Sequence, residues 1–120
     1  KCVYLLNFII NEHKDVAYIT EGQFDALTLC KWGYPAVALF GTGTQEQYNI
    51  LKKSGIRNYI LCFDGDKAGM SGAKRFVKNM NQNCFITIKQ LPNGKDINDL
   101  TYEEFMSLPT LIWHRKISML

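Results

Sequence analysis

Tyr59-Ile60-Leu61-Cys62-Phe63-Asp64-Gly65-Asp66 decides how the rest of the chain is read. A run of apolar and β-prone residues is too short for a helix and suits a strand buried on both faces. Two carboxylates around a glycine follow it directly. Beyond them Ala73, Phe76, Val77 and Met80 recur at the 3.6-residue period, so a helix follows the turn. Strand, acidic turn and helix in this order form half of a βαβ unit.

The same unit recurs on either side. Val16-Ala17-Tyr18-Ile19 is a short β-rich run that ends in Thr20-Glu21-Gly22. Residues 23 to about 32 then predict a helix, with Phe24, Leu27 and Cys30 or Lys31 along one side and Gly33 as its stop. Ala36 to Phe40 is a second run, ending in Gly41-Thr42-Gly43. Thr44-x-x-Gln47 has capping-box spacing for a helix that Gly55 terminates. The last run, Cys84 to Ile88, leads to the turn-like Pro92-Asn93-Gly94. Thr101-x-x-Glu104 caps a short helix that stops at Pro109.

Alternating strands and helices predict an α/β fold, a mainly parallel four-stranded sheet with helices on both faces. In such sheets ligands sit outside the carboxyl ends of the strands. Glu21, the Gly41–Gly43 turn, Asp64 with Asp66, and the loop to Asp96 all follow a strand's carboxyl end. Three parts are expected: an N-terminal extension (1–15), with a helix as one reading of its apolar run, the α/β domain (16–108), and a tail (109–120).

Composition bounds the function without choosing it. The 120 residues suit one core, and 47% apolar content fills it. A net charge of +3 is too mild to announce nucleic-acid binding. Cys2, Cys30, Cys62 and Cys84 form no C-x-x-C pair, which points to free thiols in a reducing cytoplasm. Val3–Ile10 falls short of the ~20 residues of a membrane span, so a cytoplasmic protein without membrane contact is expected. The start at Lys1 rather than Met suggests a piece of a longer protein.

Asp64 and Asp66 repel each other unless a cation lies between them. Oxygen ligands with no His or Cys nearby suit Mg²⁺ or Mn²⁺. The alternative is that Asp66 caps the following helix while Asp64 is solvated. Gly65 leaves room for backbone and phosphate to approach, and Glu21 adds an acid from a second strand end, with Gly22 beside it. Asp25, four residues on and on the same helix face, either steers the metal shell or is a solvated acid.

Four segments together resemble the Toprim domain of DnaG-type DNA primases. They are Thr20-Glu21-Gly22-Gln23-Phe24-Asp25, Phe40-Gly41-Thr42-Gly43, Phe63-Asp64-Gly65-Asp66-Lys67-Ala68-Gly69 and Pro92-Asn93-Gly94-Lys95-Asp96-Ile97-Asn98-Asp99. They follow the family's order and cover roughly residues 16 to 100. The resemblance implies a Toprim (Rossmann-like) fold in which Glu21, Asp64 and Asp66 are catalytic and, with Asp96, hold two Mg²⁺ or Mn²⁺ ions. It further implies attack of a ribose 3′-hydroxyl on the α-phosphate of a nucleoside triphosphate, with Glu21 as ligand or proton carrier. Gly41, Thr42, Gly43, Lys67 and Lys95 are the nucleotide- and phosphate-binding candidates. The family often carries a second Asp two residues after the position of Asp96; here that residue is Asn98, followed by Asp99.

The implied partners are a single-stranded DNA template, an RNA primer, nucleoside triphosphates and, through further domains, a replicative helicase. Two other readings stay open: a stand-alone Toprim protein that binds nucleic acid without synthesis, and a Toprim enzyme of the topoisomerase or nuclease kind. His13, His114, Trp32 and Tyr34 are read as non-catalytic, the two aromatics as packing residues. Lys52, Lys53, Arg57, Lys74, Arg75 and Lys78 are read as a solvated face.

Overall fold

Parallel pairing of short apolar runs organises the chain, and the computed structural model describes residues 15–39, 44–80 and 84–113. The strands are β1 (Val16–Thr20), β2 (Ala36–Ala38), β3 (Asn58–Leu61), β4 (Phe85–Lys89) and β5 (Thr110–Trp113). They form one sheet in the order β2-β1-β3-β4-β5. The first four run parallel, with Ile19 beside Val37 on one side and Leu61 on the other.

The helices are α1 (Gln23–Lys31), α2 (Gln45–Ser54), α3 (Lys67–Met80) and α4 (Tyr102–Met106). Both capping boxes form: Gln47 N–H donates to Thr44 Oγ1 at 3.2 Å and Glu104 N–H to Thr101 Oγ1 at 3.1 Å. Gly55 ends α2 at φ 83°, a left-handed conformation that glycine adopts without strain.

Alternate strand residues feed two cores. Ala17, Ile19, Val37, Tyr59, Leu61 and Ile86 face Leu51 of α2 and Phe76 of α3. Ala36, Ala38 and Cys62 face Ala26 and Leu29 of α1 and Phe105 of α4. Trp32 and Tyr34 do pack, their rings 5.7 and 5.3 Å from that of Phe105.

The sheet has five strands rather than four. Thr110–Trp113, expected as part of a tail, pairs antiparallel with β4, Thr110 opposite Lys89 and Trp113 opposite Ile86. The physical reason is the open edge of β4, whose free N–H and C=O groups recruit the chain as soon as it returns past Pro109. The Gln90 N–H donates to Pro109 O at 2.9 Å, at the start of that pairing.

The side of α1 that carries Phe24 and Leu27 faces outward. Phe24 and Leu27 are 69% and 41% exposed, and Asp25, Ala26 and Leu29 face inward instead. Ala26 and Leu29 are the residues that meet the sheet, and Asp25, one residue before Ala26, is carried to its carboxyl edge. The N-terminal extension before Asp15, the tail beyond Trp113, His13, His114 and the Phe40–Gly43 turn lie outside the described residues.

Candidate metal centre

Strand order reverses between β1 and β3: from β1 the chain moves outward to β2, then returns to lay β3 on the opposite side of β1. Loops leaving such a switch point diverge to opposite faces and open a crevice at the carboxyl edge. Glu21 leaves β1 and Asp64 follows β3, so both stand at this crevice. The loop after β4 supplies the third wall.

That third loop is fastened to the second by backbone contacts. Gly65 N–H donates to Lys95 O at 3.0 Å, and Gly94 N–H to Gly65 O at 2.7 Å. Lys95 N–H donates to Pro92 O at 3.0 Å, closing a turn around Gly94 at φ 74°. A Cβ on Gly65 would lie 2.0 Å from Pro92 O. The space beside Gly65, read from sequence as room for a phosphate, is thus filled by the Pro92 carbonyl.

Helix α1 and the two loops bring Asp25, Asp64 and Asp96 together, with one carboxylate oxygen from each within 4.8 Å of the others. Burial and the neighbouring Asp96 and Asp64 carboxylates push Asp25 up to about 7. Burial, then Glu21, Asp96 and Asp66, push Asp64 up to about 6. Asp96 Oδ1 is buried and has no hydrogen-bond partner among the described residues. A buried carboxylate oxygen left so is costly, and a divalent cation among the three acids would satisfy it and relieve their repulsion. An all-oxygen donor set suits Mg²⁺ or Mn²⁺.

The remaining sequence candidates take other places. Glu21 turns its Oε1 to the Asp64 N–H at 3.1 Å. Asp66 Oδ1 accepts from Gly69 N–H at 2.7 Å, so this acid caps the first turn of α3 rather than joining the three-acid cluster. Lys67 begins α3 and lines, with Asp64 and Asp66, a cavity of about 540 Å³ between α3 and β4. Lys67 and Lys95 are exposed. Gly22 precedes α1, and its carbonyl accepts from Ala26 N–H at 3.2 Å.

Sequence reasoning gives Asp25 only a supporting place, although its i+4 spacing from Glu21 is the signal that it shares the crevice. Asn98 reads in the sequence only as a missing acid. In the structure it donates from Nδ2 to Asp25 Oδ1 at 2.8 Å.

An α/β domain with three carboxylates converging on the switch point of a parallel sheet is the class that fold and site define. Comparison with known proteins narrows it. A family model described as Toprim-like matches residues 18–101. The DNA primase of Thermotoga maritima is 34% identical over 105 residues, covering 81% of this chain and 19% of the primase. The DNA primase DnaG of Ignicoccus hospitalis is 32% identical over 103 residues, covering 84% of this chain and 23% of that protein. Among solved structures, a DNA primase domain from Pseudomonas aeruginosa superposes with a TM-score of 0.75 at 23% identity, over 92% of this chain and 39% of that one. A DnaG primase catalytic domain bound to single-stranded DNA gives a TM-score of 0.70 at 26% identity, over 85% of this chain and 34% of that one. The chain belongs to the Toprim-like family, as a Toprim domain of the DnaG primase type. It spans about a fifth of the length of these two primase relatives.

Proposed function

We propose that this chain is the catalytic Toprim domain of a DNA primase, a nucleotidyltransferase that makes RNA primers on single-stranded DNA during replication. The observation that carries the proposal is the meeting of Asp25, Asp64 and Asp96 around a buried Asp96 oxygen that has no partner among the described residues. Primase relatives, and a related catalytic domain solved with single-stranded DNA, support the substrate class.

In this reading Asp25, Asp64 and Asp96 would hold a Mg²⁺ or Mn²⁺ ion, with a second ion expected beside it. The bound ions would lower the pKa of the primer's 3′-hydroxyl and offset charge on the leaving pyrophosphate. Glu21, whose Oε1 accepts from the Asp64 N–H, would serve as a further ligand or take up the hydroxyl proton. Asp66 holds the first turn of α3 and through it the Asp64 loop. Lys67 and Lys95, exposed at the rim, attract the triphosphate, and the other phosphate-binding candidates Gly41, Thr42 and Gly43 lie outside the described residues. Template, primer and helicase contacts then fall largely to other parts of a full primase, working in the cytoplasm. No helix among the described residues is long and apolar enough to cross a membrane.

The test is a chimera: the T. maritima primase carrying this chain in place of its own matching segment, assayed for Mg²⁺- or Mn²⁺-dependent priming on single-stranded DNA with ribonucleotides. Priming that the Asp64→Asn change abolishes supports the proposal. Priming that survives the change unaltered refutes the site, and a folded chimera that makes no primer refutes the synthesis reading.

A further inference from the structure

Asn98 lies in the 3-10 turn Ile97–Asp99 and is exposed, yet both ends of its amide are held by side chains of a distant element. Its Nδ2 donates to Asp25 Oδ1 at 2.8 Å, and its Oδ1 accepts from the Thr28 hydroxyl. Asp25 and Thr28 both belong to α1. Thr28 Oγ1 also lies 3.0 Å from Phe24 O, and since both carbonyl oxygens only accept, the single threonine proton is shared between Phe24 and Asn98.

These two contacts set the amide the right way round. With the oxygen facing Thr28, the NH₂ group must face Asp25. A carboxylate at position 98 would place an acceptor against an acceptor, beside a group already crowded by Asp96 and Asp64. Asn98 therefore adds a donor where an acid would add repulsion. It also ties the loop that carries Asp96 to the helix that carries Asp25, two of the three carboxylates in the cluster.

We propose that Asn98 is a positioning residue of the metal centre: clamped by Thr28, it fixes the Asp25 carboxylate toward Asp64 and Asp96 and sets the site's affinity for a divalent cation. This rests on the reading of the three acids as a metal site. Hydrogen bonds that orient ligands typically change metal affinity by about 10–100-fold when removed.

The experiment is titration of the 120-residue chain with Mn²⁺, read by the loss of the free-ion electron paramagnetic resonance signal, with thermal unfolding followed in parallel. The proteins are wild type, Asn98→Ala, Asn98→Asp, Thr28→Val and Asp64→Asn. Asn98→Ala is expected to weaken Mn²⁺ binding about tenfold or more, and Thr28→Val to weaken it in the same direction by less. Asn98→Asp should melt below wild type in chelator and regain more thermal stability from Mn²⁺ than wild type does. Equal Mn²⁺ affinity in wild type, Asn98→Ala and Thr28→Val, with only melting temperature altered, would overturn the proposal and leave Asn98 a structural residue. Wild-type binding no stronger than that of Asp64→Asn would overturn the metal site itself, a result distinct from the first. Should Asn98→Ala not fold, Thr28→Val carries the same decision.

Discussion

Replacing Gly65 with alanine probes the junction on which the metal centre is built. The added methyl would sit 2.0 Å from Pro92 O, 2.7 Å from Pro92 C and 2.8 Å from Leu91 O. All three are backbone atoms, so the 91–95 loop must move. Movement lengthens the Gly65 N–H to Lys95 O and Gly94 N–H to Gly65 O bonds, each worth about 1 kcal/mol net. Overpacking adds about 1–3 kcal/mol. The expected loss is therefore about 3–5 kcal/mol, a large share of the roughly 5–15 kcal/mol of a typical domain. Urea unfolding monitored by circular dichroism measures it, with Gly94→Ala as a control. Gly94 has φ 74°, and a Cβ added there would meet no atom within 4 Å, so only backbone strain of about 1–2 kcal/mol applies. A Gly65→Ala loss below about 1 kcal/mol, or below that of Gly94→Ala, would refute the claim that the two loops are locked at this point.

The acids and caps give further outcomes. Asp25 is held near 7 in the fold against an ordinary 3.8, so between about pH 4 and 7 the unfolded chain gives up a proton that the fold retains. Stability in chelator should fall across that window, by at most about 4 kcal/mol, and level off above it, as denaturant titrations at several pH values would show. Mg²⁺ requires the ionised acids, so the melting-temperature rise it gives should be larger at about pH 8 than at about pH 5.5. Asp64→Asn removes one charge from the cluster and should leave the metal-free melting temperature at about pH 7.5 equal or higher while abolishing that rise. Thr44→Ala removes the α2 cap and should cost about 1 kcal/mol without altering ion binding.

Strand and helix order was legible because buried parallel strands are continuous apolar runs and because caps are local chemistry: Thr44 with Gln47, Thr101 with Glu104, Gly55 at its left-handed turn. β5 was not, since a short segment after a proline carries too little periodicity, and only the free edge of β4 gives it a partner. At the site, sequence spacing showed which acids follow strands but not which way each carboxylate turns. Asp66 and Glu21 bind backbone N–H groups, a choice made by loop geometry. Asp25 enters the cluster because α1 packs through Ala26 and Leu29 rather than through Phe24 and Leu27, and that facing is a tertiary outcome. The role of Asn98 depends on a contact spanning 73 residues, which no local pattern encodes.

The central claim is that an ion sits among Asp25, Asp64 and Asp96. Anomalous diffraction from crystals of the chain grown with Mn²⁺ tests it most directly. The account predicts a peak with carboxylate oxygens of all three residues at about 2.1 Å, the distance expected for small hard divalent ions. A peak bound by Glu21 and Asp66 with Asp25 outside its shell, or no peak at this edge of the sheet, would contradict it.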